Sequence, residues 1–488
     1  MTTFADPRTA DRITDAPGKA QRLRAVLSRP VSPLSLAVFR IALGALMVVD
    51  CWRFIRHDRV YRYWVEPEFH FTYAGFGWVT PLPEPWIHVA WLLVGLSAAL
   101  VMLGLFYRVS IVVLTVLFSY FFLLDKAEYL NHFYLVILFL ILMCFLPAHR
   151  ALSLDAWLFS RVRGTSVPYA SVAILRTQME IMLIFAGLVK LTPDWLAGEP
   201  LGLWLRPLAG DFPFGVLFQF DWVIIAGAWA TVALHVLGAP LLLWRRTRLA
   251  TFLVYCCFHS ANAAFFNIGI FPWLTIAATT IFFAPDWPRG VARWLHGRVE
   301  DLSALPATTV TQASCPVRLI PMAALVAMVG WVCVQVALPL RAAVFPTEVR
   351  WSGDGHRFSW RMRIYDRRAE GVFYVVSGDQ VWAVDPTEYL SARQAGKMLV
   401  RSDMIHQFAA HLEEVWRNAG HGDVEVRAEI WKSLNGRPEQ LFVDPEVDLT
   451  AVDLAYARSD DWVLPLNVAV WGVATAEPET DDRGSLRN

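Results

Sequence analysis

From about residue 34 to residue 340 the chain is a succession of apolar runs, each roughly 17–22 residues long, the length a helix needs to cross a hydrocarbon core of ~30 Å. No other feature constrains the fold as strongly, because a segment inside a bilayer must satisfy its own backbone polar groups. The runs fall near 34–51, 86–106, 109–124, 132–147, 171–190, 221–243, 249–265, 270–284 and 319–340. This predicts an α-helical polytopic membrane domain of about nine spans, with 109–124, 132–147 and 270–284 short enough to be tilted, broken or half-spanning. Composition agrees: 18% of the 488 residues are charged and 56% are apolar, whereas a soluble domain carries about a quarter of its residues as charge. The 43 basic and 43 acidic side chains cancel, so no nucleic-acid partner is expected.

Charge placement sets an orientation. Residues 1–33 form a polar, basic arm with no removable signal peptide. With that arm in the cytoplasm, the inside loops hold about 17 Lys and Arg against about 6 outside, as the positive-inside rule requires. An odd number of crossings then puts everything after residue 340 on the extracytoplasmic side. Residues 341–475 read as a β-rich domain. Phe358, Trp360, Met362 and Ile364 alternate with polar neighbours, as do Val424, Val426, Ala428 and Ile430, and period-two patterning predicts half-buried strands. A helical pattern covers 388–418, with Met398, Met404, Phe408, Leu412 and Trp416 on one face, and Asn435-Gly436 signals a hairpin turn. Residues 476–488 read as a flexible tail. The six cysteines (51, 144, 256, 257, 315 and 333) include no CxxC, and HExxH and GxSxG motifs are missing, so no metal site is expected.

Ionisable groups at membrane depth are costly and point to function. Lys190 ends the run Ile181–Val189, where an ammonium loses most of its hydration and the neutral amine, a base, becomes accessible. It could equally snorkel to the outer interface, paired with Asp194. His132, with Asn131 before it, opens the fourth span and could orient a reacting oxygen or carry a proton, or simply bond a neighbouring helix. His259 and Asn262 share one helical face near the outer end of the seventh span, an arrangement that helix packing alone also explains. In the predicted orientation Lys190, His132, Asn131 and His259 lie towards one face, beneath the C-terminal domain. The aromatic stretch Phe265–Phe271 suits a flat apolar ligand drawn from lipid, or an interfacial belt.

Taken in order, these residues resemble those of a known family. The run includes Phe39-Arg40-Ile41, Leu103-Gly104-Leu105-Phe106-Tyr107-Arg108, Asn131-His132-x-Tyr134-Leu135 and Leu175-Arg176-x-Gln178. It continues with Ala186-Gly187-x-x-Lys190-Leu191-x-x-Asp194-Trp195, Phe258-His259-x-x-Asn262, Phe358-Ser359-Trp360-x-Met362, Asp403-Met404 and Asp444-Pro445-x-Val447-Asp448. From about Phe39 to Trp462 the chain resembles the vitamin K-dependent gamma-glutamyl carboxylases, whose membrane part is the HTTM domain. The resemblance implies a multi-pass enzyme using vitamin K hydroquinone, or a menaquinol-like naphthoquinol, with O₂ and CO₂ as co-substrates. It implies that Lys190 deprotonates the reduced quinone, whose oxygenation generates a base able to remove the γ-proton of a glutamyl residue in a peptide or protein acceptor. The carbanion captures CO₂ and the quinone leaves as its epoxide. His132 and Asn131 are associated with carboxylation. His259, Asn262, Phe265, Phe271 and Met362 are expected at the quinone, and Phe358, Ser359 and Trp360 at the acceptor.

Departures from the family pattern cluster in the C-terminal domain. The segment before Ser359-Trp360 reads Gly355-His356-Arg357-Phe358, Arg361 and Arg363 interrupt the pattern after the Trp, Tyr365 replaces a histidine, and Glu446 stands in place of an arginine. The paired cysteines and long C-terminal extension of animal members are missing, which fits a bacterial plasma membrane. Two rivals follow: an oxygenase that forms the epoxide without carboxylating a peptide, and a non-enzymatic quinone- or lipid-binding membrane protein.

Overall fold

The computed structural model describes residues 18–295, 319–345, 348–452 and 461–467. Each of the nine predicted apolar segments is helical: α1 (Leu34–Arg56), α2 (Trp86–Leu103), α3 (Tyr107–Leu124), α4 (Asn131–Phe145), α5 (Ala170–Leu188), α6 (Asp221–Leu243), α7 (Arg248–Phe265), α8 (Phe271–Thr279) and α9 (Met322–Leu340). Six of them, α1, α2, α3, α5, α6 and α9, are long and apolar enough to cross a membrane. The helices α4 and α8 are shorter, as their sequences foretold, whereas the third segment expected to be short, 109–124, extends back to Tyr107 as α3 and is long enough to cross. The predicted tail 476–488, Cys315 and the N-terminal residues 1–17 lie outside the described residues.

The bundle's faces follow the helical period. In α1, Phe39, Leu43, Met47 and Phe54 are buried, while Val49, Trp52 and Ile55 point outward, as a lipid-facing surface permits. Close approach depends on two glycines. A Cβ at Gly44 would lie 2.7 Å from the Met102 backbone nitrogen, so Gly44 is what brings α1 against α2. A Cβ at Gly187 would lie 2.8 Å from His235 Cβ, so Gly187 seats α5 on α6.

The C-terminal region is a four-stranded antiparallel sheet of β1 (Arg367–Ser377), β2 (Gln380–Val384), β3 (Glu425–Leu434) and β4 (Gln440–Leu441), in the order β2-β1-β3-β4. The predicted helix 388–418 is two helices, α10 (Ala392–Met398) and α11 (Ser402–Asn418), lying on one sheet face. Ser391 opens α10 with a capping box closed by Gln394. Met404, Ile405, Phe408 and Leu412 of α11 are fully buried against Phe373, Val375, Val426, Ala428 and Ile430, and each such aliphatic or aromatic side chain contributes ~1.5–3 kcal/mol by leaving water.

One expected strand is a loop. Phe358 (φ 62°), Trp360 (φ 56°) and Arg363 (φ 48°) occupy the left-handed region, which no extended strand tolerates. The loop turns its apolar side chains into the protein by local turns, and the polar Ser359 between two of them is fully buried as well. Trp360 lies tilted against Tyr134, Phe358 packs among Tyr129, Phe122 and Tyr73, and Ile364 joins Trp195, Ala228 and Val232.

Polar contacts lock the two regions together. Lys126 Nζ meets Asp403 at 2.6 Å, Arg393 Nε meets Glu128 at 2.6 Å, and Gln394 Nε2 donates to Phe69 O and Asp125 Oδ2, both at 2.8 Å. The Asn435-Gly436 turn forms as expected, with φ 54° and 77° and Arg437 N donating to Leu434 O.

Candidate functional site

The start of α4, the end of α5 and the loop after Trp360 converge on one cavity of about 1100 Å³ between the helices and the C-terminal domain. A short connection fixes Lys190 there. Helix α5 stops at Leu188, and Thr192 then caps a new turn, Pro193–Leu196, with Pro193 at its first position. Lys190 in the intervening turn is 5% exposed. Its Nζ donates to Ala186 O and to Met362 O, each at 3.0 Å, and lies 5.1 Å from the Trp195 ring. No carboxylate pairs with it among the described residues.

The expected alternative partner, Asp194, faces elsewhere. Its carboxylate takes Arg437 at 2.7 and 2.8 Å and Asn435 Nδ2 at 2.8 Å, with Arg350 at 3.4 Å. Burial would raise this carboxyl, but the bonds from Arg437 and Asn435 outweigh it and hold it below its ordinary value.

Asn131 Nδ2 donates to Arg361 O at 3.3 Å, so Asn131 and Lys190 bind consecutive carbonyls of one strained loop. His132 lines the same cavity, with Gly269 beside its Nε2 and its ring 6.1 Å from Phe271. Phe271 in turn sits edge-on to His259 at 6.0 Å. Both ring nitrogens of His259 are buried without a partner in the described structure. Asn262 returns Nδ2 to Phe258 O at 2.9 Å, and it lines the cavity along with Phe265 and Met362. Eight of the sequence candidates therefore meet around one space. Phe358, Ser359 and Trp360 do not line it; they lie in the packing behind the loop and shape the backbone that carries Arg361 and Met362.

His235 on α6 escaped the sequence reading. It is 5% exposed and lines the cavity. Its Nδ1 lies 2.8 Å from Thr231 O, so Nδ1 carries the proton and Nε2 keeps a lone pair. An ionisable residue inside an apolar run, the signal applied to Lys190, would have found it. A group of cations at the C-terminal side, including Arg361, Arg367, Lys397 and Arg401, also lines the space.

Fold and cavity define a multi-pass membrane protein with a sheet-containing C-terminal domain closing its candidate site. Residues 28–287, more than half of the chain, match the HTTM domain family, and residues 321–469 match the vitamin K-dependent gamma-carboxylase lumenal domain. The chain belongs to the vitamin K-dependent gamma-carboxylase family. No solved structure matches it.

Proposed function

We propose that the protein couples O₂-driven oxidation of a reduced naphthoquinone to carboxylation of a glutamyl γ-carbon, with about nine crossings, the N-terminal arm cytoplasmic and the C-terminal domain outside. The observation that carries this reading is Lys190, a buried amine held by two carbonyls and, among the described residues, by no carboxylate, at the wall of an aromatic cavity. Neutral partners do not stabilise an ammonium as a carboxylate would, so the amine is kept as a base.

The residues present fit a naphthoquinol. The cavity exceeds the ~300 Å³ lower bound of small-molecule sites, Phe265 and Phe271 offer ring faces, and the unpartnered His259 nitrogens await a hydroxyl or carbonyl. When bound with O₂, the quinol supplies the strong base that takes the γ-proton and leaves as its epoxide. Lys190 accepts the initiating proton at Nζ. His259, Asn262 and Met362 orient the ring system, and Phe271 separates it from His132. Asn131 and His132 hold the acceptor's reacting end at the Arg361-Met362 backbone. The surrounding aromatic wall excludes the bulk water that would quench a strong base.

A second reading, oxidation without peptide carboxylation, is favoured by Arg361 and Tyr365, which bond each other at 2.6 Å at the cavity's C-terminal side. One assay separates the two. Purified protein receives vitamin K hydroquinone, O₂, labelled bicarbonate and a short glutamate peptide, and epoxide and fixed label are read together. Both products are expected. Epoxide alone would establish the oxygenase reading, and neither product from folded protein would leave a quinone- or lipid-binding scaffold.

A further inference from the structure

The short helix Trp287–Leu295, which follows α8 and the single turn Thr280–Phe282, buries none of its nine residues. It stands at the end of the bundle away from the cavity, since α8 begins at Phe271 in the cavity wall and runs from there. At about 100° per residue, Trp287, Val291, Trp294 and Leu295 fall within one arc of about 100°, and Arg289 and Arg293 stand opposite. Trp294 is 80% and Leu295 64% exposed, so the apolar arc faces outward.

The bundle fixes where this helix lies. Residues 283–286 alone separate it from the preceding turn, a reach of at most ~14 Å. Ser35 N, at the start of α1, donates to Pro285 O at 3.0 Å. Arg176 of α5 donates from Nε to Ile281 O at 2.8 Å and from Nη2 to Phe283 O at 2.7 Å. Phe283 sits edge-on to Phe252 of α7 at 5.1 Å, with its ring 6.4 Å from that of Trp287. The helix therefore borders the start of α7 and the loop before it, where Trp244, Leu249 and Leu253 are exposed.

Those three side chains edge the outward surface of a bundle built from membrane-length helices, and the apolar arc continues that edge. Indole rings favour this boundary, where the ring meets acyl chains and the N–H meets headgroups. Nine residues make little more than one heptad, too short for a helix seam with a second copy. The charge names the lipid. Arg245, Arg246, Arg289 and Arg293 are exposed, and none forms an ion pair among the described residues. Asp286 is the single acid in 244–248 and 283–295 together. A zwitterionic surface offers these guanidiniums no net charge, whereas an anionic one attracts each of them.

We infer that the helix Trp287–Leu295 lies in the headgroup layer of the leaflet away from the C-terminal domain. Its apolar arc enters the acyl chains, and Arg289 and Arg293, with Arg245 and Arg246 beside them, bind anionic phospholipid. This placement requires the long helices to cross a bilayer and is independent of the reaction at the cavity.

The test is amide hydrogen exchange of residues 287–295 in the full chain, held in nanodiscs of phosphatidylcholine or of phosphatidylcholine with about a third of phosphatidylglycerol. Exchange should be slower in the anionic discs by at least about fivefold, the effect of one Arg at an anionic surface, and high salt should shrink the difference. Arg289→Gln combined with Arg293→Gln should abolish most of the difference and keep the protection seen in phosphatidylcholine. Trp294→Ser combined with Leu295→Ser should speed exchange in both lipids. Neither pair should move the melting temperature, because the helix buries no side chain. Equal exchange in the two lipids, or a wild-type response in the Arg289→Gln, Arg293→Gln protein, overturns the anionic-lipid site. Fast exchange in both lipids shows that the helix does not rest on the bilayer, and protection that appears only in discs holding two copies assigns the arc to a second chain; either result overturns the inference.

Discussion

Asp194 presents both carboxylate oxygens to Arg437, at 2.7 and 2.8 Å, across the junction between the helices and the C-terminal sheet. It stands four residues from Lys190 and could have been its counter-ion. The Asn435-Gly436 turn prevents that, because it projects Arg437 and Asn435 onto Asp194. This ion pair thus helps hold the domain junction and leaves the amine without a carboxylate among the described residues. Both side chains are nearly fully buried, 2% and 7% exposed, and removing one partner of a buried pair costs about 3–5 kcal/mol. Arg437→Leu should lower the melting temperature sharply. Arg437→Leu combined with Asp194→Leu should recover part of the loss, and strictly additive effects would show that the two do not act as a pair.

Lys190 has no shape that another cation reproduces. Lys190→Met removes the base, and Lys190→Arg installs a group that stays charged at any working pH. Both should lower kcat for epoxide formation by ~10²–10⁴-fold, the range for loss of a positioned base. The quinol KM should change little, since the aromatic wall is intact. A Lys190→Met enzyme with wild-type kcat would remove Lys190 from the chemistry.

The helices were legible because length and hydropathy are local properties, and β3 was legible because Val424 to Ile430 alternate on a real sheet face. The segment from Phe358 to Ile364 shows where the same signal fails. Alternation is read as one buried face, but the left-handed turns at Phe358, Trp360 and Arg363 pack the apolar residues against the helices while burying Ser359 between them as well. The partnership of Asp194 spans 243 positions to Arg437 and leaves no local mark. Lys190, Asn131 and His132 could be found because each is an ionisable or amide group bordering an apolar run. His235 met the same criterion.

His235 offers Nε2 to the cavity because Thr231 O takes the Nδ1 proton. His235→Asn keeps a donor for Thr231 O and leaves no acceptor at the position of Nε2. Loss of one hydrogen bond, worth ~1–1.5 kcal/mol, should slow epoxide formation about tenfold, with the melting temperature unchanged. His235→Ala would lose stability as well. Equal rates in wild type and His235→Asn would make the residue one of packing alone.

Asp403 gives the C-terminal domain its acid sensitivity. Burial would raise its carboxyl, but Arg357 at 2.8 Å and Lys126 at 2.6 Å outweigh burial and hold it below the ordinary carboxylate range. A carboxyl depressed in the folded state stabilises it at every pH above the unfolded value of ~4, and that contribution drains away as pH falls from there through the folded value. Asp403→Asn keeps the shape and removes the charge, leaving the buried Lys126 and the half-buried Arg357 without their anion. The gap in melting temperature between wild type and Asp403→Asn should therefore be full at pH 7, hold to about pH 5, and narrow below about pH 4 as the wild-type carboxyl protonates. A gap that stayed constant down to pH 2 would mean that hydrogen bonding, and not charge, holds α11 to the helical domain.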